Sequence, residues 1–572
     1  MLLKIKTVIR DMQLRIGSWP ATRVTWGLVG LFGAWLLADA MLLGVGSGIA
    51  QSSYDAMVRM RLYAAAPDPR IIIVDIDEAS LLRMGSQFGR WPWPRDTLAA
   101  VLDHVGKQQP AAVVWDVVFS DADRLSPGGD AAFDAAVRRS DKNHFSVVRL
   151  PPANDGLSQI TRQVLPGLWL PSAGQKVPGG KPSTVALIPP VLPAVASGRL
   201  GYNNGYVDSD GVLRRFRYAE VLADGSAIQS LPLSIHRDIN SFVPVVTARF
   251  AAGGFRPTDE LVAWRRKAGV YPTVSFADVF ALADGGAPPS QVPDFSGKVV
   301  IIGSTAPSLH DVHPTPLSPT QAGVDSLATV IDNALHERHI AELPRWFQVL
   351  LAAALCVGIA LWVRVRGVAS LAPAILVLPA SLLCVSYLSL HGLPLFIDLH
   401  LTAGVGLAFL AALRVWNGWR RDHWSSPADA DGQSAGGDQA IWCWRSEAPW
   451  VDAALDRTMD ALEQNAPGCR IVTPDISMPW PPSLHWPELA GYLAIFGSRA
   501  ELEKAQHALA GNISGIQALR GVNHGSLQAM PAGVSRDALC AIAMAGWAGL
   551  ARPSQTQTAT AAGQPAIQGV TQ

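Results

Sequence analysis

Four stretches of this chain are long and apolar enough to cross a lipid bilayer, and they constrain the fold more than any other feature of its 572 residues. A helix needs about 20 apolar residues to cross roughly 30 Å of hydrocarbon. The spacing predicts spans over residues 24–45, 346–363, 368–390 and 394–413. Charged residues are 16% of the chain, against about 25% in a typical soluble domain. Hydrophobic residues reach 49%, and the mean hydropathy is +0.20.

Basic residues flanking spans collect on the cytoplasmic side. Lys4, Lys6, Arg10, Arg15 and Arg23 precede the first run, Arg364 and Arg366 separate the second from the third, and Arg414, Arg420 and Arg421 follow the fourth. Charge and the parity of four crossings agree on residues 1–23 inside, 46–343 outside and 424–572 inside. A cleaved signal peptide is the competing reading of residues 1–48. The first run exceeds the roughly 7–15 residues of a signal core, which favours an anchor. Asp39, Asp398 and His400 lie near the outer ends of spans, either as a polar relay or as groups kept wet or paired there.

Lys and Arg total 46, as do Asp and Glu, and the sequence pI is near 7.2. No global basic field exists to hold a phosphate backbone, so nucleic acid is not an expected partner. The five cysteines stand at 356, 384, 443, 469 and 540, leaving residues 46–343 without a disulfide framework or a cysteine zinc site.

The exported segment reads as α/β. IIIVDIDE (71–78) is a continuous β-branched run that fits a strand buried on both faces. A helical stretch over 95–108 and a second buried strand, AAVVWDVVF (111–119), complete a βαβ unit. KVVIIGS (298–304) reads as a third strand, followed by helical spacing over 324–336. In VDSDGVLRRF (207–216), Asp210 and Gly211 are expected to supply the positive φ angles of a tight turn.

In the tail, residues 424–440 read as a linker and 553–572 as disordered. Between them a small α/β domain over 424–552 is expected, with a helix over 451–464, a strand over 492–496 and a helix over 499–509 begun by Ser498 and Glu501 as a capping box. Acids outnumber bases there, 13 to 8 over residues 424–552. Trp442, Trp444, Trp450, Trp480 and Trp486 are either its core or a partner interface.

Four groups in the exported segment could carry a site. Asp75, Asp77, Glu78 and Asp116 lie at strand ends, where open α/β sheets bind ligands; the structural alternative is that Asp77 and Asp116 cap backbone or pair with Arg95. Trp91, Trp93 and Arg95 either rim such a crevice or pack in a rigid turn around Pro92 and Pro94. His310, His313, His336 and His339 form two H-x-x-H pairs of the type that ligates metals, with nothing in the sequence joining them. Gly303, Ser304 and Thr305 either cradle an anion or form a tight turn with hydroxyl capping.

PDPRIIIVDIDEASL (67–81), GRWPWPR (89–95), VVWDVVFSDAD (113–123), DSDGVLRRFRY (208–218) and GKVVIIGSTAPSLHDVHPTPLSPTQAGVD (297–325), in this order between one span and a triple span, resemble the CHASE2 family of extracytoplasmic sensory domains. Within these strings Asp311 and Thr315 join Asp77, Asp116, Trp93 and Arg95 as the candidate ligand contacts. The chain departs from the family where a His-Ala pair is usual: Leu327 and Ala328 stand there, so that histidine's role does not carry over. The resemblance implies a multi-pass receptor of the plasma (inner) membrane that perceives an extracytoplasmic ligand and relays it inward.

Family outputs are often cyclases or kinases. The tail carries no kinase or phosphate-loop motif, and the H-R-D triplet at 236–238 lies on the outer side. The expectation is therefore a non-enzyme without cofactor or metal that acts on a separate cytoplasmic signalling protein, as a homodimer. Two alternatives stand beside it. One is a catalytic tail built on Cys443, Cys469, Asp475 and His485; the other is a structural component of an envelope assembly.

Overall fold

The computed structural model describes residues 12–13, 16–170, 183–222, 224–240, 259–338, 340–366, 371, 373–425, 438–446, 450, 452–473, 491–512, 523–531 and 536–551. The chain divides into two compact units. One contains Gly44–Pro344 with Cys384–His400, and the other contains Met1–Leu43, Arg345–Leu383 and Leu401–Gln572.

The first unit opens with helix α1 (Val45–Arg59) and is organised by a sheet of β1 (Ile71–Asp75), β2 (Ala112–Trp115), β3 (Asn143–Arg149), β4 (Leu187–Ile188), β5 (Arg199–Tyr202), β6 (Thr273–Ser275) and β7 (Val299–Gly303). The order is β6, β1, β7, β2, β3, β5, all parallel, with β4 antiparallel against the end of β3. Because alternate residues point to opposite faces, each β-branched strand fills two cores. Ile72, Val74, Val113, Trp115, Val300 and Ile302 face α3 (Arg95–Lys107) and α6 (Phe276–Ala283). Ile71, Ile73, Val114, Val299 and Ile301 face α5 (Leu231–Ile239) and α7 (Gly323–Leu335). The α/β expectation holds, as three layers.

The strands are shorter than the apolar runs suggest. β1 stops at Asp75, and Asp77, itself still extended, caps α2 (Glu78–Phe88), a helix the apolar pattern gave no reason to expect. β2 stops at Trp115, four residues before the run's last residue, Phe119. At 208–211 a tight turn forms, with Gly211 N–H donating to Asp208 O at 2.9 Å. Only Gly211 takes a positive φ there (82°); Asp210 does not, and its carboxylate instead pairs with Arg214 at 2.7 Å. Arg214 is buried and also meets Asp55 at 2.7 Å and Asp208 at 3.0 Å, so the DSDGVLRR string ties its own turn to α1. Asp398 and His400 precede or begin the last apolar helix and pair with each other at 2.5 Å.

Four helices have the length and composition to cross a membrane: Ala21–Leu43, Arg345–Val365, Ala374–Gly392 and His400–Arg421, of which the third passes from the second unit into the first at Cys384. The third starts and the fourth runs later than expected; residues 394–399 are not helical, and the last helix continues through Ser425 into the segment read as a linker. The second unit's apolar contacts join Leu36, Ala352, Cys356, Ile359, Val405, Phe409 and Leu413. Near the end of the first span, Asp39 opens a π-helical turn and accepts from Arg345 at 3.2 Å.

The tail is a small domain of β8 (Gln439–Arg445), α8 (Asp452–Asn465), β9 (Arg470–Val472), β10 (Tyr492–Ser498), α9 (Arg499–Asn512), β11 (Asn523–His524), β12 (Gln528–Met530) and α10 (Arg536–Ala551). The sheet is antiparallel, in the order β9, β10, β8, β11, with β12 also on β8. This is a split βαβ arrangement in which both faces are covered. Trp442 and Trp444 pack with α8 and α9 on one face, while Ile441, Cys443 and Phe496 pack with Leu539, Ala543 and Trp547 of α10 on the other. The core reading holds for Trp442 and Trp444. Trp480, Trp486, Asp475 and His485 lie outside the described residues, as do 553–572. Ser498 Oγ accepts the Glu501 N–H at 3.3 Å, the expected cap.

Gly201 in β5 lies against the backbone of Leu231, where any Cβ would collide with the first turn of α5. Gly201→Ala should lower the stability of the purified chain by about 2–3 kcal/mol, as overpacking against rigid backbone does. Thermal melts of the two chains in detergent check this.

Candidate functional site

The carboxyl edge of the sheet positions the chemistry, because β1, β7 and β2 end side by side at Asp75, Gly303 and Trp115. Asp75 is buried and accepts both the N–H and the hydroxyl of Thr305, at 2.8 and 2.5 Å. Burial raises its pKa, and the Thr305 bonds oppose that rise. Ser304 Oγ donates to Ile76 O at 2.8 Å and accepts from Ala306 N–H at 3.0 Å. The Gly303–Ser304–Thr305 segment is thus a hydroxyl-capped turn whose Thr305 N–H already faces a carboxylate; it is no anion cradle. Asp77 caps α2 through Ser80 N–H at 2.7 Å and accepts from Ser275 Oγ at 3.0 Å. Glu78 accepts from Ser308 N–H at 3.0 Å.

Asp116 begins a cluster that these bonds leave with free chemistry. Its N–H extends the sheet to Ile302 O at 2.8 Å, and its carboxylate accepts from Asn203 Nδ2 at 2.7 Å. Gly303 leaves it room, since a Cβ there would stand 3.1 Å from the Asp116 Cβ. Asp311 arrives from the loop after β7. Its carbonyl accepts the Gly323 N–H at 2.9 Å, and its carboxylate lies where a side chain at Gly323 would be, at the start of α7. His313 is held by a short antiparallel pairing with Gln321, and its Nε2 stands 3.5 Å from Asp311.

Burial pushes the Asp116 carboxyl up to about 7, and the Asp311 charge adds to it against the pull of Asn203 and His313. His313 is raised by its bond to Asp311, then by the Asp311 and Asp116 charges, against its burial. Low dielectric disfavours two bare carboxylates in one place, so protons or cationic groups are drawn there. Asp116, Asp311 and His313 thus form one cluster beside a helix N-terminus.

The other candidates fall elsewhere. Trp93 is 2% exposed and packs against Phe276 and Trp91 in the core. Arg95 pairs with Asp130 and Asp121 O, and its N–H donates to Asp123, so it stabilises the start of α3 instead of meeting Asp77 or Asp116. Thr315 is buried in its own turn, donating to Gln321 Oε1 at 2.6 Å and accepting from Ser318 N–H at 3.2 Å. Asn203 was not legible in the sequence; only its place one residue past β5 marks it.

Of the H-x-x-H histidines, His313 serves Asp311, and His339 lies outside the described residues. His336 meets Asp332 at 2.9 Å beside Asp68. Arg70 and Arg265 already neutralise that acidic pair, at 2.7 and 2.5 Å, and Tyr271 donates to Asp332. In the tail, burial pushes the Cys443 and Cys469 thiols up to about 11 and 12, which keeps both protonated.

A family profile described as CHASE2 domain matches residues 29–368, which is more than half of the chain. The chain belongs to the CHASE2-domain family. The match runs beyond the exported segment expected from the sequence, taking in part of the first apolar helix and all of the second. No curated protein matches the chain, and no solved structure does.

Both Asp116 and His313 have folded pKa values above those of the unfolded chain. The Asp116 contribution is therefore complete below about pH 4 and is lost as pH rises through about 7, and the His313 contribution is complete below its ordinary value of about 6.5 and is lost above it. Asp116→Asn keeps the bond from Asn203 and should flatten that fall, gaining roughly 1–3 kcal/mol at pH 8. Melting curves of both chains between pH 4 and 8 test this; parallel pH profiles would contradict it.

Proposed function

We propose that this chain is a plasma-membrane receptor whose CHASE2 domain lies outside the cytoplasm and whose tail engages a separate signalling protein. The family match over residues 29–368, flanked by helices able to span a membrane, carries the reading. Residues 46–343 form the extracytoplasmic sensor, and the Asp116, Asp311 and His313 cluster is its ligand crevice. A ligand that pairs with these carboxylates, or a change in external pH, changes the protonation of Asp116 and His313. For that change to signal, the ligand must bind two packings of the domain with different affinity.

On the inner side, Arg420 near the end of the last apolar helix is buried and pairs with Asp460 of α8 at 2.5 Å, with Glu463 at 3.8 Å. This pair attaches the helix bundle to the tail, so movement of the bundle is delivered to the split βαβ domain. The tail then presents a docking surface to a kinase, a cyclase or an anti-sigma factor, with the receptor acting as a homodimer.

Affinity capture with the full chain, against a control ending at Ser425, should retain such an output protein. Arg420→Met should lower the recovered amount several-fold without removing the chain from the membrane. Hydrolysis of ATP or GTP by the purified full chain, lost in the control, would replace this reading with an enzymatic tail.

A further inference from the structure

The helix that follows the first span, α1, carries two apolar faces. Tyr54, Asp55, Met57 and Val58 are buried on one side, with Phe216, Trp264, Leu390 and Phe396 in the same core and Asp55 on Arg214. On the opposite stripe stand Val45, Ile49, Ser52, Ala56 and Met60 at helical spacing, and just beyond them Leu62 and Tyr63. Leu62 is 86% exposed, Tyr63 79% and Met60 65%, while Val45 and Ile49 are also open. No charged residue occurs on that stripe before Arg59 and Arg61 at its end. Isolated exposed apolar residues are ordinary, but a continuous row of them marks a contact surface.

Both ends of α1 adjoin residues of the apolar helices, one through the chain and the other through hydrogen bonds. Its first residue follows the end of the first apolar helix, Leu43, by one glycine. At its other end Tyr387 Oη donates to Met60 O at 3.1 Å and accepts the Leu62 N–H at 3.0 Å, and His391 Nε2 contacts Met57 O at 3.2 Å. Tyr387 and His391 occupy the last two turns of the third apolar helix, Ala374–Gly392. A helix of 15 residues is about 22 Å long. Standing upright on the membrane, it would carry Met60 far from those turns.

We propose that α1 lies in the plane of the outer membrane interface, with Val45, Ile49, Met60, Leu62 and Tyr63 in lipid and its opposite face holding the sensor core. Arg59, exposed at the end of the stripe, then lies at the level of the headgroup phosphates, while Arg61 is turned into the sensor and donates to Trp264 O; Tyr63 sits at the depth aromatic residues favour. The occupant is lipid, since Tyr387, which bonds Met60 and Leu62 at the end of the stripe, stands on the third span between the exposed Val385 and Leu388. The inference rests on the membrane arrangement given above and extends it: the sensor is seated on the bilayer and not merely tethered to it.

The test places an environment-sensitive fluorophore on single cysteines at Ile49→Cys and Leu62→Cys of the full chain, in a Cys384→Ser background; the other four cysteines are buried. Leu376→Cys in the third span and the exposed Leu157→Cys are controls, and nanodiscs hold one chain each. Nitroxide-labelled lipid should quench positions 49 and 62 several-fold more than 157, with iodide showing the reverse order. Iodide quenching at 49 and 62 equal to that at 157 would overturn the in-plane helix, as would shielding that requires two chains per disc, which would make a second copy the occupant. Absence of lipid quenching at 376 as well would instead overturn the membrane arrangement, and this inference with it.

Discussion

Hydrocarbon offers no partner to a backbone N–H or C=O, and this exclusion organises the whole chain. Segments placed in it must be helices without charge, and everything that carries chemistry must lie on one side or the other. The exception near the first span's outer end, Asp39, is answered by Arg345 at the start of the second apolar helix. That pair closes the two covalent connections through which residues 44–344 join the helices.

The domain between those connections is held by buried arginines, with no cysteine over residues 46–343. Arg149 is buried between Asp155 and Glu220, Arg214 among Asp55, Asp208 and Asp210, and Arg265 on Asp332. A buried pair is costly to break, because removing one partner leaves the other charge bare, at roughly 3–5 kcal/mol. Against this neutralised background, Asp116 and Asp311 differ. Their neighbours are Asn203 and a histidine, so the charge of the cluster is set by pH and by whatever binds. A site whose protonation is undecided near neutrality is suited to sensing.

Much of this was legible in the sequence. Buried parallel strands announced themselves as β-branched runs, the four apolar runs found the spanning helices, and the D-G step found the turn at Gly211. Strand ends were less legible, because pairing ends within a residue of Asp75 and Asp116 while the apolar runs continue past them. The fourth apolar run misplaced its helix for a similar reason: residues 394–397 are apolar yet not helical, with Leu395–Phe396 pairing as a strand with Ala341–Glu342. The candidate site was half legible. Asp116 and Asp311 were found from strand-end logic and the family strings, but Trp93, Arg95 and Thr315 share those strings for reasons of packing and turn formation. Asn203 and the pairing of His313 with Asp311 depend on chain segments about 90 and 200 residues from Asp116, which no local pattern reports.

The two sides of the bilayer must see different parts of this chain. In a Cys384→Ser background, Leu157→Cys should react with a membrane-impermeant maleimide on intact cells whose outer envelope is opened, and Met544→Cys only after the plasma membrane is permeabilised. Both positions are exposed in the folded chain, so burial does not mask the result. Labelling of both residues from the same side would contradict the receptor account.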